Sequence, residues 1–222
     1  MGLFVFSGFT FSQQRKNELN TFAGLMVNSE IKEGVIVKGI EYDRWLNACF
    51  SIGGGIVSFG NVSIYQSWNI NQKECYILDE DINRFLLSIQ TQIQLAQVSF
   101  SKGHSVGLLI KPAMLIQLFP VDFLTFKKYA DLNNSFLGFN SLTFIDSEKR
   151  SYRSGSTVYF DGSIMIAYKF KSLTGINVGY RVSTVDVHKN LRERHFGNIQ
   201  FNTFLPLPKL LQGGEIGLLF YF

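Results

Sequence analysis

The chain has 222 residues, of which 46% are hydrophobic and 15% aromatic, and its formal net charge is +4. Its mean hydropathy is only +0.11, and no stretch reaches the roughly 18 uninterrupted apolar residues that a membrane-spanning helix needs. No block of Lys and Arg is interleaved with aromatic residues, so the composition gives no support to nucleic-acid binding. A membrane barrel escapes such a hydropathy search, because each of its strands has one lipid face and one lumen face.

The first residues are typical of an export signal. Leu3–Phe9 is a short apolar run, and Thr10–Ser12 places small residues where a signal peptidase cleaves. We therefore expect residues 1–13 to form a signal peptide and residues 14–222 to form a single domain. Only Met1 and Gly2 precede the apolar run, so either the true start lies upstream or Leu3–Phe9 is a first β-strand.

The central part of the chain follows the two-residue period of β-strands. In Phe85–Gln97, apolar side chains alternate with a polar row that includes Gln90 and Gln92. Glutamines in a row are too polar for a dry core and fit a hydrated lumen. Pro112 interrupts the next alternating run, where it cannot donate to the strand ladder and predicts a bulge. Further strands are expected at Val35–Tyr42, Asn47–Phe59, Phe136–Ile145 and His195–Leu205, with Val62–Trp68 as an additional candidate and Asn69–Ile82 as a long polar loop.

Thr157–Phe170 is the clearest strand of the sequence. Every second residue is apolar, aromatic or glycine, whereas Asp161 and Lys169 belong to the opposite face. A helix would mix these two sets within two turns, so the pattern favours a strand. A turn at Lys171–Gly175 leads into the next alternating strand, which begins at Ile176.

The number of expected strands before Phe222 predicts on which side of the membrane each loop lies. If Phe222 ends in the periplasm, the short turn Lys171–Gly175 lies outside the cell and the longer segment Ser147–Gly155 lies in the periplasm. This arrangement is the reverse of the usual rule of short periplasmic turns and long extracellular loops.

The last residues form the most specific pattern in the chain. Phe222, Phe220, Leu218 and Ile216 fall on one face of an extended strand. This pattern resembles the closing strand of bacterial outer-membrane β-barrels, and the Phe-Ser-Gln-Gln of the signal-like segment is similar to signal peptides of the Bacteroidetes. The resemblance implies an all-β fold, a closed antiparallel transmembrane β-barrel in the bacterial outer membrane. The alternating segments of this sequence count to about eight to ten strands. The resemblance also implies that the terminal strand is an assembly signal, read by the barrel-assembly machinery.

Four charged residues share the inward parity of the last strands, namely Asp161, Lys169, Arg181 and Glu215. Since neighbouring strands bring such side chains together, we expect Arg181 to pair with Asp161 or Glu215. A network of this kind plugs and rigidifies a small barrel more readily than it selects a solute. A lumen of about ten strands is narrow and largely filled by side chains, which argues against a general porin.

A basic cluster of Lys189, Arg192 and Arg194 lies between two of the expected strands. It offers a docking site for lipid phosphates, including those of lipopolysaccharide, or for an acidic partner. The simpler interpretation is a solvated turn, because charge runs at strand ends are routine.

The sequence offers little for catalysis. Its three histidines are His104, His188 and His195. Because His104 and Ser105 are neighbours in a strand, their side chains point to opposite faces. The lipid A deacylases of the outer membrane carry a Ser/His site, but their closely spaced His-x-Ser motif is absent. No Cys/His cluster has metal-ligand spacing, and Gly53–Gly55 lacks the Lys-Ser/Thr of a phosphate-binding loop. We therefore expect no enzyme activity, cofactor or metal, and interpret the glycines as a bend in the barrel wall.

The cysteines leave two alternatives open. Cys49 and Cys75 are the only two in the chain. They form a disulfide or remain as two thiols, and the sequence does not decide, because a disulfide needs Cα atoms within about 7 Å.

These patterns predict a small outer-membrane β-barrel with a structural or interaction role, free-standing or as an accessory subunit of an outer-membrane export or assembly complex. The alternative is a narrow, porin-like channel for small solutes. A lipid A-modifying hydrolase is the third candidate, which the missing motif disfavours.

Overall fold

The computed structural model describes the backbone of residues 17–28, 33–61, 66–71, 74–79, 83–100, 103–117, 121–132, 141–153, 157–170, 173–187, 195–196, 199–200 and 210–222. Side chains are described over residues 17–28, 34–60, 84–100, 103–117, 157–170, 173–187 and 210–222, and at Ser147. The expected signal peptide, residues 1–13, lies outside the described residues. Within these ranges, no helix has the length and hydropathy needed to cross a bilayer.

The described chain is built from β-strands. In chain order they are β1 (Asn17–Asn28), β2 (Glu33–Trp45), β3 (Phe50–Asn61), β4 (Gln66–Asn71), β5 (Glu74–Asp79), β6 (Asn83–Ser99), β7 (Ser105–Gln117), β8 (Val121–Leu132), β9 (Ser141–Arg153), β10 (Val158–Lys169), β11 (Thr174–Ser183), β12 (His195–Phe196), β13 (Ile199–Gln200) and β14 (Leu211–Tyr221). Eight of them form a closed barrel in the order β1-β14-β11-β10-β7-β6-β3-β2. The predicted closed antiparallel barrel is thus confirmed, with eight strands.

The remaining strands lie outside the barrel sheet. β4, β5, β8 and β9 form a separate four-stranded sheet, and β12 pairs with β13. The expectation that Phe136–Ile145, His195–Leu205 and Val62–Trp68 could add barrel strands is therefore wrong for their described parts. The sequence also missed β1 as a strand. Alternation reports a strand with two different faces, but it does not say which sheet the strand joins.

The barrel is closed between its first and last strands. β1 and β14 pair from Glu18 with Tyr221 to Asn28 with Leu211. Beyond this ladder, the Asn17 amide donates to the Phe222 carbonyl at 3.2 Å and the Phe222 amide donates to the Asn17 carbonyl at 3.1 Å. Closure is required in lipid, because an open sheet edge would leave its backbone groups without partners.

The connections at the two ends of the barrel differ in length. At the end that holds Asn17 and Phe222, here called the terminal end, the strands are joined by residues 46–49, 100–104 and 170–173. At the opposite, far end they are joined by residues 29–32, 62–82, 118–157 and 184–210. Short turns face the periplasm in barrels of this class, so the expectation that Lys171–Gly175 is extracellular and Ser147–Gly155 periplasmic is wrong. The count was shifted because some alternating segments are not barrel strands.

Pro112 does not produce the expected bulge. On β7 it faces Gly162 of β10 with no change of register, and toward β6 the register is the same before and after it. The irregularity of the β6–β7 ladder lies instead between Gln94 and Ala96. A proline removes one ladder hydrogen bond, and here the neighbouring pairs keep the strands aligned across that gap.

The two faces of the barrel wall have opposite chemistry. Outward positions carry apolar side chains such as Ile164, Ile166 and Ile216, and Ile166 is 59% exposed. Inward positions carry charged and amide side chains that are almost completely buried, and Arg181 is 0% exposed. This is the reverse of a soluble protein, and it fits a barrel whose solvent is hydrocarbon.

Candidate functional site in the barrel lumen

Arg181 lies at the centre of the lumen. It projects inward from β11, between Asp161 of β10 and Glu215 of β14, because these three strands are neighbours in the sheet. Its Nε donates to Glu215 Oε2 at 2.6 Å and its Nη1 donates to Asp161 Oδ2 at 2.8 Å. The structure therefore brings together three of the four residues that the sequence placed on the inner face, and Arg181 bonds to both carboxylates rather than to one.

Two residues from the other side of the lumen complete this group. Glu41 of β2 accepts a hydrogen bond from Lys111 of β7 through its Oε2. Its Oε1 lies 4.0 Å from Arg181 Nη2. We call Glu41, Lys111, Asp161, Arg181 and Glu215 the central charge cluster. Charges removed from water need close partners, and removing one member would leave the others without compensation.

An aromatic ring supports the two cations of the cluster. The centroid of the Phe22 ring lies 4.3 Å from Arg181 Cζ and 5.2 Å from Lys111 Nζ, a distance that permits cation–π attraction. Gly39 makes room for this ring, since a Cβ at Gly39 would lie 2.7 Å from two of its carbon atoms.

A second polar group lies nearer the terminal end. Gln92 Nε2 donates to Glu18 Oε1 at 3.1 Å and to Asp43 Oδ2 at 2.6 Å. Gln90 Nε2 donates to the same Asp43 oxygen at 2.8 Å, and Trp45 Nε1 donates to Glu18 Oε2 at 3.1 Å. The glutamines that the sequence placed on the inner face are thus buried donors that hold two carboxylates.

Glycines on the inner face of β3 make space for these carboxylates. A Cβ on Gly53 would collide with Asp43 Oδ1, and a Cβ on Gly55 would lie 2.9 Å from Glu41 Cγ. The sequence interpreted Gly53–Gly55 as a bend in the wall. The structure shows a further role for the two inward-facing glycines, Gly53 and Gly55, because side chains at these positions would displace acidic groups of the lumen.

Apolar side chains fill the rest of the interior. Toward the far end lies a cluster of Phe22, Met26, Val35, Val37, Val57, Phe59, Leu86, Leu115, Tyr159, Val185, Val187 and Leu211. Toward the terminal end lies a second cluster of Trp45, Leu109, Met165, Ala167, Leu219 and Tyr221. Arg84 Nε and Nη2 hold the Val187 carbonyl at 2.9 and 2.7 Å, which fixes the segment after β11 inside the far mouth.

The other predicted site residues lie elsewhere. Lys169 is at the terminal end of β10, where its Nζ lies 4.2 Å from the centroid of the Tyr221 ring, rather than beside Arg181. Lys189, Arg192 and Arg194 lie outside the described residues. The terminal-strand residues Ile216, Leu218, Phe220 and Phe222 all face outward and are exposed.

No catalytic arrangement emerges around the described histidine. His104 Nδ1 and the Tyr168 hydroxyl lie 3.1 Å apart at the terminal end. His188 is outside the described residues, and only the backbone of His195 is described. Among the described side chains, no group of three or more His, Cys, Asp or Glu is arranged to hold a metal ion. Cys49 is exposed and free, and the side chain of Cys75 is outside the described residues.

Sequence reasoning missed several residues of the lumen. Glu41 and Lys111 of the central charge cluster were not singled out, and neither were Glu18 and Asp43. A signal was present for Glu41 and Asp43, because they share one face of β2 while apolar Ile36 and Ile40 share the other. An acidic pair on the face opposite a lipid-facing row predicts a lumen position.

No protein-family model matches the sequence, and no curated protein does either. Among solved structures, the chain is similar to the N-terminal β-barrel domain of OprF from Pseudomonas aeruginosa, with 9% identity, 94% of this chain and 98% of that chain covered, and a TM-score of 0.43. It is also similar to Ail of Yersinia pestis, with 9% identity, coverage of 94% and 99%, and a TM-score of 0.40. Neisserial surface protein A shares 10% identity, coverage of 93% and 96%, and a TM-score of 0.42.

The chemistry of the barrel's exterior and interior indicates where the protein is located. A closed antiparallel barrel with an even number of strands, an apolar exterior and a polar interior is the structure of single-chain bacterial outer-membrane proteins. The protein is an outer-membrane β-barrel.

Proposed function

We propose that this outer-membrane barrel has a structural or interaction role, as an accessory subunit of an outer-membrane export or assembly complex or free-standing, and that it is not an enzyme. The observation that carries the proposal is the filled lumen. The central charge cluster occupies the middle of the barrel, and apolar clusters lie toward both ends. Side chains packed in this way stabilise a barrel and leave little room for solutes.

The four-stranded sheet supports the interaction part of the proposal. It is built from the connections 62–82 and 118–157, which leave the barrel at its far end. β4 and β9 are the outer strands of this sheet. An outer strand offers backbone donors and acceptors to an added strand of another protein. A filled barrel that carries such a sheet is suited to anchoring a binding surface in the membrane.

The proposal also covers how the barrel is assembled and the type of bacterium from which it comes. The outward, exposed row Ile216, Leu218, Phe220 and Phe222 on β14 is available to the barrel-assembly machinery as a recognition signal. The signal-like Phe-Ser-Gln-Gln supports an origin in a Bacteroidetes-type bacterium. We expect the apolar exterior to contact outer-membrane lipid, including lipopolysaccharide.

A specific observation favours the narrow channel as a second candidate. Buried polar atoms of the lumen, including Ser51 Oγ, Ser163 Oγ and Asn177 Oδ1, have no hydrogen-bond partner among the residues that the structure describes. Atoms of this kind are commonly satisfied by buried water. A connected file of such waters would give a path for ions or very small solutes.

Planar-bilayer recording separates the two candidates. We expect the refolded barrel to insert without producing resolved unitary currents, while a wide porin added to the same bilayer gives large steps. Regular steps from the barrel alone, abolished by heat denaturation before insertion, would establish the channel. Mass analysis of lipid A from expressing cells tests the third candidate, and loss of an acyl chain would show a hydrolase.

The accessory role is tested by purification from native membranes in mild detergent. We expect a partner to remain bound to the full chain and to be lost when residues 121–153, which span β8 and β9, are replaced by a short turn. The matched control is the gel mobility of both proteins before and after heating, which should show a folded barrel in each. Retention of the same partner by the shortened protein would place the contact outside β8 and β9.

A further inference from the structure

Glu18 and Asp43 form an acidic pair on the inner wall of the barrel. They are direct partners in the β1–β2 ladder, and their exposed fractions are 2% and 0%. Like charges placed directly opposite each other on neighbouring strands destabilise a sheet. Burial strengthens the repulsion, because a Coulomb interaction grows as the surrounding dielectric constant falls. The pair therefore calls for a positive charge close to it.

The cations of the described lumen are paired elsewhere. Lys111 and Arg181 bond to carboxylates of the central charge cluster, and Lys169 lies over an aromatic ring at the terminal end. Among the described side chains, no Lys or Arg forms an ion pair with Glu18 or Asp43. The hydrogen bonds that these two carboxylates accept come from amide and indole N–H groups, which are neutral. The described residues thus supply no directly paired cation.

Two neutral oxygen atoms adjoin the acidic pair. Ser51 on β3 and Gln92 on β6 are partners in the register, one inward position nearer the terminal end than Gly53, the β3 partner of Asp43. Gln92 Nε2 donates to Glu18 at 3.1 Å and to Asp43 at 2.6 Å, so its side-chain amide lies beside both carboxylates.

These neutral oxygens lack partners of their own. Ser51 and Gln92 are 0% and 1% exposed. Ser51 Oγ, Gln92 Oε1 and Asp43 Oδ1 have no hydrogen-bond partner among the described residues. Buried polar atoms in folded proteins are normally satisfied, and a group of orphaned oxygens points to a bound water or ion. Beside two carboxylates without a paired cation, the ion is the species that also answers the charge.

We infer that Glu18, Asp43, Ser51 and Gln92 bind one divalent cation of the Ca²⁺ type, at what we call the lumen cation site. The atoms offered are carboxylate, amide and hydroxyl oxygens, which hard cations prefer. Two carboxylate charges match the charge of one such ion, and buried water completes its coordination. The site has only two acidic ligands, so it differs from centres built on three or more His, Cys, Asp or Glu, of which the described side chains contain none. The inference goes beyond the proposed function.

Terbium luminescence tests the lumen cation site, because Tb³⁺ occupies Ca²⁺ sites and emits when a nearby tryptophan is excited. Trp45 is suitably placed, since its Nε1 lies 3.1 Å from Glu18 Oε2. The protein is the full chain with Trp68→Phe, which leaves Trp45 as the single tryptophan, refolded with Tb³⁺ in a non-ionic detergent. We expect sensitised emission that saturates at one Tb³⁺ per barrel and is lost when Ca²⁺ replaces Tb³⁺ during refolding.

Variants of the ligands make the test specific. Glu18→Gln and Asp43→Asn each remove one negative ligand and keep the shape of the side chain, so Tb³⁺ binding should weaken about tenfold or more. Ser51→Ala should weaken binding by a smaller factor, and it provides an independent check if a carboxylate variant refolds poorly. The matched control is Ser163→Ala on β10, which removes another buried hydroxyl without a described partner and should leave Tb³⁺ binding unchanged.

Urea unfolding gives a second readout that does not depend on emission. An ion that binds only the folded barrel stabilises it, so Ca²⁺ should raise the urea midpoint of the unaltered barrel above its value in EGTA. The double variant Glu18→Gln, Asp43→Asn should unfold at the same urea concentration in both solutions. Absence of emission sensitised by Trp45, equal Tb³⁺ binding by Asp43→Asn, or a Ca²⁺ effect that persists in the double variant would overturn the inference.

Discussion

The lumen and the lipid-facing surface are built from the same strands, yet they follow opposite rules. On β10, Asp161 is buried in an ion-paired cluster, while Ile164 and Ile166, a few residues further along, are more than half exposed. In the lumen, stability depends on each charge having a partner. On the outside, it depends on the absence of charge. One alternating sequence therefore carries two independent sets of constraints.

The largest effect is expected from breaking the lumen cluster. Arg181→Leu leaves Asp161, Glu215 and Glu41 without their shared cation, and such a loss costs about 3–5 kcal/mol. Urea unfolding of the barrel refolded into phospholipid vesicles measures the change. The combined variant Arg181→Leu, Asp161→Asn, Glu215→Gln removes the uncompensated charges and should recover much of the loss. Unaltered stability of Arg181→Leu would mean that the cluster does not stabilise the fold.

A charge placed on the outside should have the next largest effect. Ile164→Arg introduces a guanidinium near the middle of the apolar band, which should cost about 2–4 kcal/mol. Ile164→Val is the matched control and should cost no more than about 1.5 kcal/mol. The same urea measurement applies, and a tolerated arginine would show that this face does not contact lipid.

Filling the space at an inward-facing glycine should lower the free energy of unfolding by a smaller amount. Gly39→Val places a side chain against the Phe22 ring and the Ile56 carbonyl, and overpacking of this kind costs about 1–3 kcal/mol. Gly162→Ala is the control on the outer face, where the added Cβ would meet only the Lys111 carbonyl at 3.8 Å. If both substitutions change the unfolding free energy equally, the inner glycine is not needed for packing.

The smallest effect concerns one neutral hydrogen bond. Asn177 Nδ2 donates to Asn20 Oδ1 at 3.0 Å across the terminal half of the lumen. Asn177→Ala should therefore cost about 0.5–1.5 kcal/mol. A double-mutant cycle with Asn20→Ala measures the coupling directly, and additive losses would show that the two amides do not interact in the folded barrel.

The sequence predicted the barrel class because alternation and the closing strand are local properties. β10, β11 and β14 follow the two-residue period closely enough to be placed with the correct faces. The number of barrel strands was not predictable in this way, since β8 and β9 are strands of another sheet. Their separation from the barrel depends on long-range pairing, which a local pattern does not contain.

The site was predictable only where its residues lie on neighbouring strands. Asp161, Arg181 and Glu215 come from three strands that follow one another around the barrel, so parity brought them together. Glu41 and Lys111 approach across the lumen from strands that are not neighbours. That contact depends on the strand number and on the stagger of the closed sheet, neither of which the sequence supplied.

The most direct test of the account is paramagnetic broadening of methyl resonances by a doxyl-labelled fatty acid in the refolded, unmodified barrel. Methyl groups of Ile164, Ile166, Val178 and Ile216 should broaden strongly, because they face the hydrocarbon. Those of Val37, Leu86, Leu115 and Met165 should remain sharp, because they lie inside the barrel. Equal broadening of the two sets, or a folded chain that stays soluble without any detergent, would contradict a barrel with a lipid-facing exterior and a filled lumen.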